Sequence, residues 1–332
     1  MLNDKIEHYK ATGRSLTVTP AKYKKEYPYL KEVDSLALAN EQMHLQTAYK
    51  NFFRDKSVGF PKFKSKKNDY NSYTTNNVNN NIKVLESAVK LPKLGIVKAK
   101  VHRIAPDTHK LKAMTITQEK DGTYYVSVLY EYESDIKPVE HIASHIGLDY
   151  KSDGLYAGSD GSCAYMPHFY RISQEKLARR QRKLSKKVKG SNNYNKEKYK
   201  TAKISRHTAN QRKDFLHKKS TEITNQYDLI SVEDLNMRSI AGSLKLGKST
   251  LDNGYGMFLS MLEYKQRKKD HFFIKVDKFY PSSQLCQCGY KNPAAKDLNI
   301  RVITCPHCGR TYDRDINAAI NIDKEGYRIL VS

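Results

Sequence analysis

Apolar and polar positions repeat with a helical period at the start of the chain. Segment 34–53 opens on two N-cap candidates, Asp34 and Ser35, and its apolar residues then recur every three or four positions. That apolar stripe consists of Leu38, Leu45, Tyr49 and Phe52. The packed face of an ordinary helix explains the stripe, and we predict a helical bundle over residues 1–55.

A strand period replaces the helical one further along the chain. Stretches 112–120 and 123–132 alternate apolar and polar residues, and Asp121-Gly122 between them is typical of a hairpin turn. We therefore predict a β-rich, wedge-like domain over residues 56–140, whose short strands form a small barrel. Its first part is predicted to be a basic loop.

A second domain is predicted to begin near residue 141. Three short strands with tight turns predict an antiparallel meander, and they lie at 145–150, 154–161 and 162–167. A helical hairpin follows over 171–226, broken near its middle by KVKGSNNYN. Two apolar strands come next, at 227–232 and 272–277, and the first of them ends at Glu233.

The last segment, 313–330, opens on acidic residues and then returns to a helical period. Its apolar face is predicted to consist of Ile316, Ala319, Ile320 and Ile322. Strands that alternate with helices predict the α/β class for this half, and α+β for the chain as a whole.

Composition narrows the classes of function. The 332 residues include 59 Lys or Arg and 35 Asp or Glu, so the formal net charge is +24. Such an excess attracts polyanions and argues against an enzyme dedicated to small acidic metabolites. No apolar run reaches the ~20 residues needed to cross a bilayer, and residues 1–14 lack the apolar region of a secretory signal. We predict no membrane partner.

Two segments concentrate the positive charge. Stretch 59–67 interleaves aromatic rings with lysines, and stretch 171–219 carries 18 Lys or Arg against three acids. Both patterns suit contacts with nucleic acid, although a solvated basic surface explains each of them as well. On charge alone, the candidate contacts are Lys62, Lys64, Lys66, Lys67, Arg179, Arg180, Arg182 and Lys183.

Three carboxylates stand at informative places. Asp149 lies in the first strand of the meander, Glu233 ends a later strand, and Asp315 opens the final helix. An acid within an apolar strand is costly unless its charge is met, so we predict that the three converge on Mg²⁺ or Mn²⁺. The alternative is that each acid is a helix cap or an ion-pair partner. The layout predicts an RNase H-like fold, which nucleases, resolvases and DDE transposases share.

Four of the five cysteines form two close pairs. The pattern CQC…CPHC supplies four thiolates, enough for a closed tetrahedral zinc site that has a structural role. The predicted ligands are Cys286, Cys288, Cys305 and Cys308. His307 lies outside this set, and the lone Cys163 is predicted to be a small buried residue.

Several strings together resemble one family. SSQLCQCGYKNP at 282–293 and DRDINAAINI at 313–322 resemble the C-terminus of TnpB (OrfB), a family of transposon-encoded RNA-guided DNA nucleases. IGLDY at 146–150 and SVEDLNMRSI at 231–240 resemble its first and second RuvC motifs, and GFPKFKSKK at 59–67 resembles its N-terminal half. The resemblance covers nearly the whole chain.

The resemblance implies a domain order. Residues 1–55 would belong to a recognition lobe, and 56–140 to a wedge-like barrel that lacks its usual first strand. Residues 141–280 would form the first part of a RuvC domain, 281–312 an inserted zinc ribbon, and 313–332 the last RuvC motif. Because the absent strand helps read the target motif, DNA targeting is expected to be impaired while the RuvC half folds.

The resemblance also implies an activity. A guide RNA from the transposon end would pair with double-stranded DNA beside a short adjacent motif, and one RuvC site would cut it by two-metal-ion hydrolysis. Asp149, Glu233 and Asp315 would be the catalytic triad. Type V CRISPR effectors share this arrangement. A cytoplasmic, nucleoid-associated protein is expected.

Two alternatives remain open. The first is an RNA-guided DNA-binding repressor that does not cut, and the presence of all three acids argues against it. The second is a DDE-type transposase. A strand-transferring enzyme of the single-strand transposon class would need a Tyr nucleophile beside His-x-His, which the sequence does not contain. The sequence does not predict the oligomeric state.

Overall fold

A computed structural model describes residues 1–63, 71–136, 139, 141–243, 252–297 and 300–332. The chain folds into two compact units, Met1–Ser134 and Asp135–Ser332. No helix among the described residues combines the length and the apolar composition needed to cross a membrane.

The first unit begins with the predicted helices. Helix α1 spans Leu2–Thr12 and α2 spans Ser35–Arg54, with two short 3₁₀ helices between them at Pro20–Lys24 and Pro28–Lys31. Asp34 is the N-cap of α2, and its side chain accepts a hydrogen bond from the Leu36 amide at 3.1 Å. The predicted cap is therefore confirmed, and the apolar stripe of α2 is partly buried.

The described residues of the first unit form six strands after these helices, arranged in two sheets. The strands are β1 Asn71–Asn76, β2 Lys83–Leu85, β3 Ala88–Leu91, β4 Gly95–Lys98, β5 Lys110–Gln118 and β6 Tyr124–Glu131. One sheet has the order β1-β5-β6 and the other β2-β3-β4, and both are antiparallel. The predicted hairpin joins β5 to β6, and Gly122 in its turn has φ +80°.

The prediction of a single small barrel is corrected to two separate sheets. Tight turns pair β2, β3 and β4 only with one another in the described part of the chain. Both sheets nevertheless contribute to one core, which contains Ile82, Val89, Leu91 and Met114. Burial of each such side chain contributes about 1.5–3 kcal/mol, so the sheets are held together without barrel closure.

The second unit is built on a five-stranded sheet. Its strands are β7 His145–Tyr150, β8 Tyr156–Gly158, β9 Cys163–Ala164, β10 Leu229–Glu233 and β11 Phe272–Val276, in the order β11-β10-β7-β8-β9. The first three strands form the predicted antiparallel meander, whereas β10 runs parallel to both β7 and β11. Cys163 faces outward on the edge strand β9 and is exposed, so the prediction that it is buried was wrong.

The second unit also contains helices, two of which pack against strands of this sheet. They are α3 Phe169–Ser185, α4 Asn192–Gln226, α5 Met237–Ser243, α6 Tyr255–Lys268 and α7 Arg314–Val331. Helices α3 and α4 form the predicted hairpin. The core of the unit takes residues from β7, β10, α4 and α6, among them Leu148, Val232, Leu216 and Phe258.

Helix α7 lies directly on the backbone of the sheet. A Cβ atom added to Gly147 of β7 would come within 2.1 Å of the Ala319 carbonyl oxygen, and one added to Gly326 would come within 1.9 Å of the Ser231 Oγ atom. Only glycine permits these approaches.

The buried face of α7 differs from the prediction. Ala319 and Ile322 are buried as expected, but Ile316 and Ile320 are partly exposed. Polar residues take part of the buried face instead, namely Asp315, Asn317, Asn321 and Asp323. The predicted face was therefore partly wrong, because apolar periodicity does not reveal polar side chains that are paired when buried.

We expect Gly147→Ala to destabilise the second unit by about 1–3 kcal/mol or more, because the added methyl group overlaps the backbone of α7. Chemical denaturation followed by circular dichroism would measure the change. Gly256→Ala is the matched control, since a Cβ atom there meets no atom within 4 Å and its φ is not positive. Equal stability of the two variants would contradict this account of the packing.

Candidate active site and metal centre

The three predicted acids lie around one end of the five-stranded sheet. In the parallel pairing of β7 with β10, Leu148 is opposite Val232, and Asp149 and Glu233 each come one residue later. Asp315 is the second residue of α7, the helix that packs on β7 and β10. Asp313 caps this helix by accepting hydrogen bonds from the amides of Asp315 and Ile316.

The pKa of the Asp149 carboxyl group depends on burial and on both other acids. Burial raises its pKa well above the usual range, and the nearby carboxylates of Glu233 and Asp315 raise it further. The Arg314 guanidinium opposes this effect. Both other carboxylates are therefore near enough to Asp149 to act on its charge, and we refer to the three acids as the acidic centre.

Asp315 is held by cations. Its Oδ2 atom accepts a hydrogen bond from Arg301 Nη1 at 2.7 Å, and its Oδ1 atom accepts one from Arg314 Nη2 at 3.3 Å. Lys151 Nζ lies 3.9 Å from Oδ2. The Asp315 carboxylate is itself buried, whereas Arg301 is about half exposed, so these contacts restrict the position of the carboxylate from both of its oxygens.

Glu233 has a different partner. The Ser282 hydroxyl donates a hydrogen bond to its Oε1 atom. Burial raises the pKa of Glu233, and the hydrogen bond from Ser282 offsets part of this rise. Burial raises the pKa of Tyr255, and the nearby carboxylates of Asp149 and Glu233 raise it further. Tyr255 therefore lies close to both acids. Its hydroxyl is buried and has no hydrogen-bond partner among the described residues.

The chemistry of these residues fits a hard divalent cation. Three carboxylates offer oxygen ligands, and their mutual repulsion is what bound cations would relieve. The unpaired Tyr255 hydroxyl adds a polar group that a hydrated ion can satisfy. The acidic centre is looser than the cysteine site: among the described residues, only the four cysteines form a metal-ligand group whose donor atoms all lie within 4.8 Å.

The cysteines form a compact site between short strands. The Sγ atoms of Cys286 and Cys308 are 3.7 Å apart, and those of Cys288 and Cys305 are 3.8 Å apart. Thiolates at 2.3 Å from a tetrahedral zinc ion are separated by about 3.8 Å, so these two pairs have the separation that zinc requires, and all four Sγ atoms lie within 4.8 Å of one another. The surrounding elements are β12 Val302–Thr304, β13 Thr311–Asp313 and a 3₁₀ helix at Pro293–Lys296.

Tight turns shape both cysteine pairs. The amide of Gly289 donates to the Cys286 carbonyl and that of Gly309 donates to the Cys305 carbonyl, and both glycines have positive φ. Burial raises the pKa of the Cys305 thiol, but backbone N–H groups of the turn and the thiols of Cys286 and Cys308 outweigh it and lower this pKa to about 7. The turn therefore favours the thiolate form that metals bind.

The predicted nucleic-acid contacts are only partly brought together. Arg179, Arg182 and Lys183 are exposed on α3, and Lys62 is exposed in the first unit. Arg180 is instead paired with Glu197 of α4, at 3.0 Å, so its charge is used within the helical hairpin. Lys64, Lys66 and Lys67 lie outside the described residues.

Sequence reasoning missed three polar partners of the acids: Ser282, Arg301 and Arg314. Ser282 and Arg314 lie within the quoted strings around the cysteines and the last helix. Their position beside acidic and cysteine motifs was the available signal. Residue type alone does not distinguish a serine or an arginine with a function from one in solvent.

The chain matches two family profiles. Residues 127–244 match the OrfB family of IS605, described as a probable transposase. Residues 255–322 match the Cas12f1-like TNB domain.

Two relatives match over most of the chain. A putative RNA-guided DNA endonuclease from Streptomyces pristinaespiralis is 33% identical over 314 residues, which cover 93% of this chain and 75% of that protein. The putative RNA-guided DNA endonuclease InsQ from Escherichia coli K12 is 34% identical over 325 residues, covering 92% and 78%.

The fold has a solved counterpart. In the cryo-EM structure of a Cas12f1–sgRNA–target DNA complex, the matching chain superposes with a TM-score of 0.59 at 14% identity. The match covers 96% of this chain and 79% of that one. This likeness concerns the fold, whereas the two relatives establish kinship. The chain belongs to the TnpB (OrfB) family of IS605-type elements.

Proposed function

We propose that this protein is an RNA-guided DNA endonuclease. The observation that carries the proposal is the acidic centre, in which Asp149, Glu233 and Asp315 come together from two strands and a helix. The names of the two relatives support the same activity. An acidic centre also favours cutting over the alternative of a repressor that only binds.

The five-stranded sheet supports assignment of the second unit to the RNase H-like, RuvC class. An antiparallel meander followed by two parallel strands matches the layout predicted from the sequence. The acids lie where β7 and β10 end, on the side where α7 begins. A nucleic-acid backbone that approaches this end of the sheet would meet the three carboxylates together with Lys151 and Arg301.

Each residue of the centre has a part in the proposed reaction. Asp149, Glu233 and Asp315 would hold Mg²⁺ or Mn²⁺, which supplies the positive charge for the attacking water and the leaving 3′ oxygen. Arg301 and Arg314 orient the Asp315 carboxylate through hydrogen bonds. Ser282 orients Glu233.

The partners follow from charge and kinship. A guide RNA from the transposon end would supply sequence recognition by base pairing with double-stranded DNA beside a short motif. The protein would hold phosphates with its cations. A net charge of +24 and the exposed cations of α3 suit this role. The four cysteines would hold a structural zinc ion, which leaves no open position for catalysis.

Removal of either strand acid should abolish cutting. For Asp149→Ala or Glu233→Gln we expect a loss of at least about 10²–10³-fold in cleavage rate, since a lost metal ligand removes several kcal/mol of transition-state stabilisation. RNA and DNA binding should remain. The assay would use the guide identified by sequencing RNA that co-purifies with the protein. If the unmutated protein binds RNA and DNA but does not cut DNA in the presence of metal, the repressor alternative is favoured.

One zinc ion per chain is expected by elemental analysis. Cys305→Ser should release it and unfold the surrounding segment, because the metal supplies about 10 kcal/mol or more to such small sites. Cys163→Ser is the matched control, since that thiol lies outside the cysteine site. Full zinc content in the Cys305 variant would contradict the assignment.

The exposed cations of α3 should set the salt dependence of RNA binding. We expect the double variant Arg179→Gln/Lys183→Gln to flatten the slope of log affinity against log salt by about 1–2, since each lost phosphate contact removes ~0.7–0.9. Filter binding at several salt concentrations would measure it. Arg180→Gln should leave the slope unchanged, because Arg180 is paired with Glu197. An unchanged slope in the double variant, together with a flatter slope in Arg180→Gln, would contradict RNA binding by the exposed cations of α3.

A further inference from the structure

A cluster of buried amide side chains joins α7 to the segment that precedes the cysteine site. Asn321 Nδ2 donates hydrogen bonds to the carbonyl oxygens of Ser282 and Leu285, both at 2.7 Å. Asn317 Nδ2 donates a third bond to the Leu285 carbonyl, also at 2.7 Å. Both asparagines are at least 95% buried, so these bonds form away from water.

A glutamine closes the cluster. Gln287 Nε2 donates to the Oδ1 atoms of both Asn317 and Asn321, at 3.0 and 2.9 Å. Lys324 donates in turn to the Gln287 Oε1 atom, at 2.5 Å. A shift of segment 282–287 along α7 would leave buried amides unpaired, at a cost of about 1–3 kcal/mol for each. The cluster therefore fixes this segment relative to α7.

The first residue of segment 282–287 contacts the acidic centre. Ser282 is itself buried, and its hydroxyl donates to the Glu233 Oε1 atom. A hydrogen bond to a carboxylate oxygen limits rotation of the side chain and fixes the direction in which its other oxygen points. Among the described contacts, this bond links the cysteine-site segment to a strand acid.

We propose that Ser282 is a positioning residue for Glu233, and that the amide cluster of Asn317, Asn321 and Gln287 holds it in place. The inference rests on the proposed function, because it takes Glu233 to be a metal ligand. Hydrogen-bond partners of metal ligands typically account for 10–100-fold in metal affinity. The Ser282 hydroxyl is expected to act in this way.

The test is Ser282→Ala in the zinc-loaded full-length chain. Mn²⁺ binding measured by electron paramagnetic resonance without nucleic acid should weaken about 10-fold. The Mn²⁺ concentration for half-maximal cleavage should rise by the same factor, and the cleavage rate at saturating Mn²⁺ should recover. Ser282→Thr, which keeps the hydroxyl, should restore affinity. Ser283→Ala is the matched control, and it should change neither measurement.

Other outcomes separate this inference from the proposed function. Unchanged Mn²⁺ affinity in Ser282→Ala, or an equal effect of Ser283→Ala, would overturn the role of Ser282. Loss of zinc or unfolding of Ser282→Ala would also overturn it, because the hydroxyl would then serve the fold. If Glu233→Gln itself left Mn²⁺ binding intact, the proposed metal site would fail instead.

Discussion

The second unit depends on the direct contact of α7 with the backbone of the sheet. Gly147 faces the Ala319 carbonyl oxygen and Gly326 faces the Ser231 Oγ atom, and neither glycine places a Cβ atom in the gap. This contact brings the first turn of the helix to the ends of β7 and β10, so that Asp315 meets the strand acids. A Cβ atom at either glycine would overlap these opposing atoms, so the contact depends on both glycines.

The acidic centre concentrates negative charge in a strongly basic protein. Three partly or fully buried carboxylates are costly unless their charges are met. The protein meets part of that charge itself, with Arg301 and Arg314 on Asp315 and with Ser282 on Glu233. Asp149 has no comparable side-chain partner in the described contacts, and burial together with the charges of Glu233 and Asp315 raises its pKa well above the usual range. A bound cation would meet the charge that the protein leaves uncompensated there.

Sequence reasoning succeeded where local rules decide the structure. Alternation predicted the β5–β6 hairpin and the meander, and a single polar residue predicted the cap at Asp34. It failed where packing between distant segments decides. The two sheets of the first unit share a core instead of closing a barrel, and Cys163 faces outward on an edge strand. The acids were predicted from their places at strand and helix ends, but their polar partners come from distant segments that no local pattern identifies.

The cysteine site and the acidic centre are coupled by their places in the chain. The described core around the cysteines is small, with only Ala295, Ile303 and Tyr312 beside two of the thiols, so a metal bound by the cysteines would supply much of the stability of this segment. Ser282 lies at its first end and bonds to Glu233, whereas Arg301 directly precedes β12 and bonds to Asp315. Zinc that orders this segment would therefore also set the partners of two acids. In the proposed enzyme, this segment would complete the acidic centre through Ser282 and Arg301, whatever contact it makes with DNA.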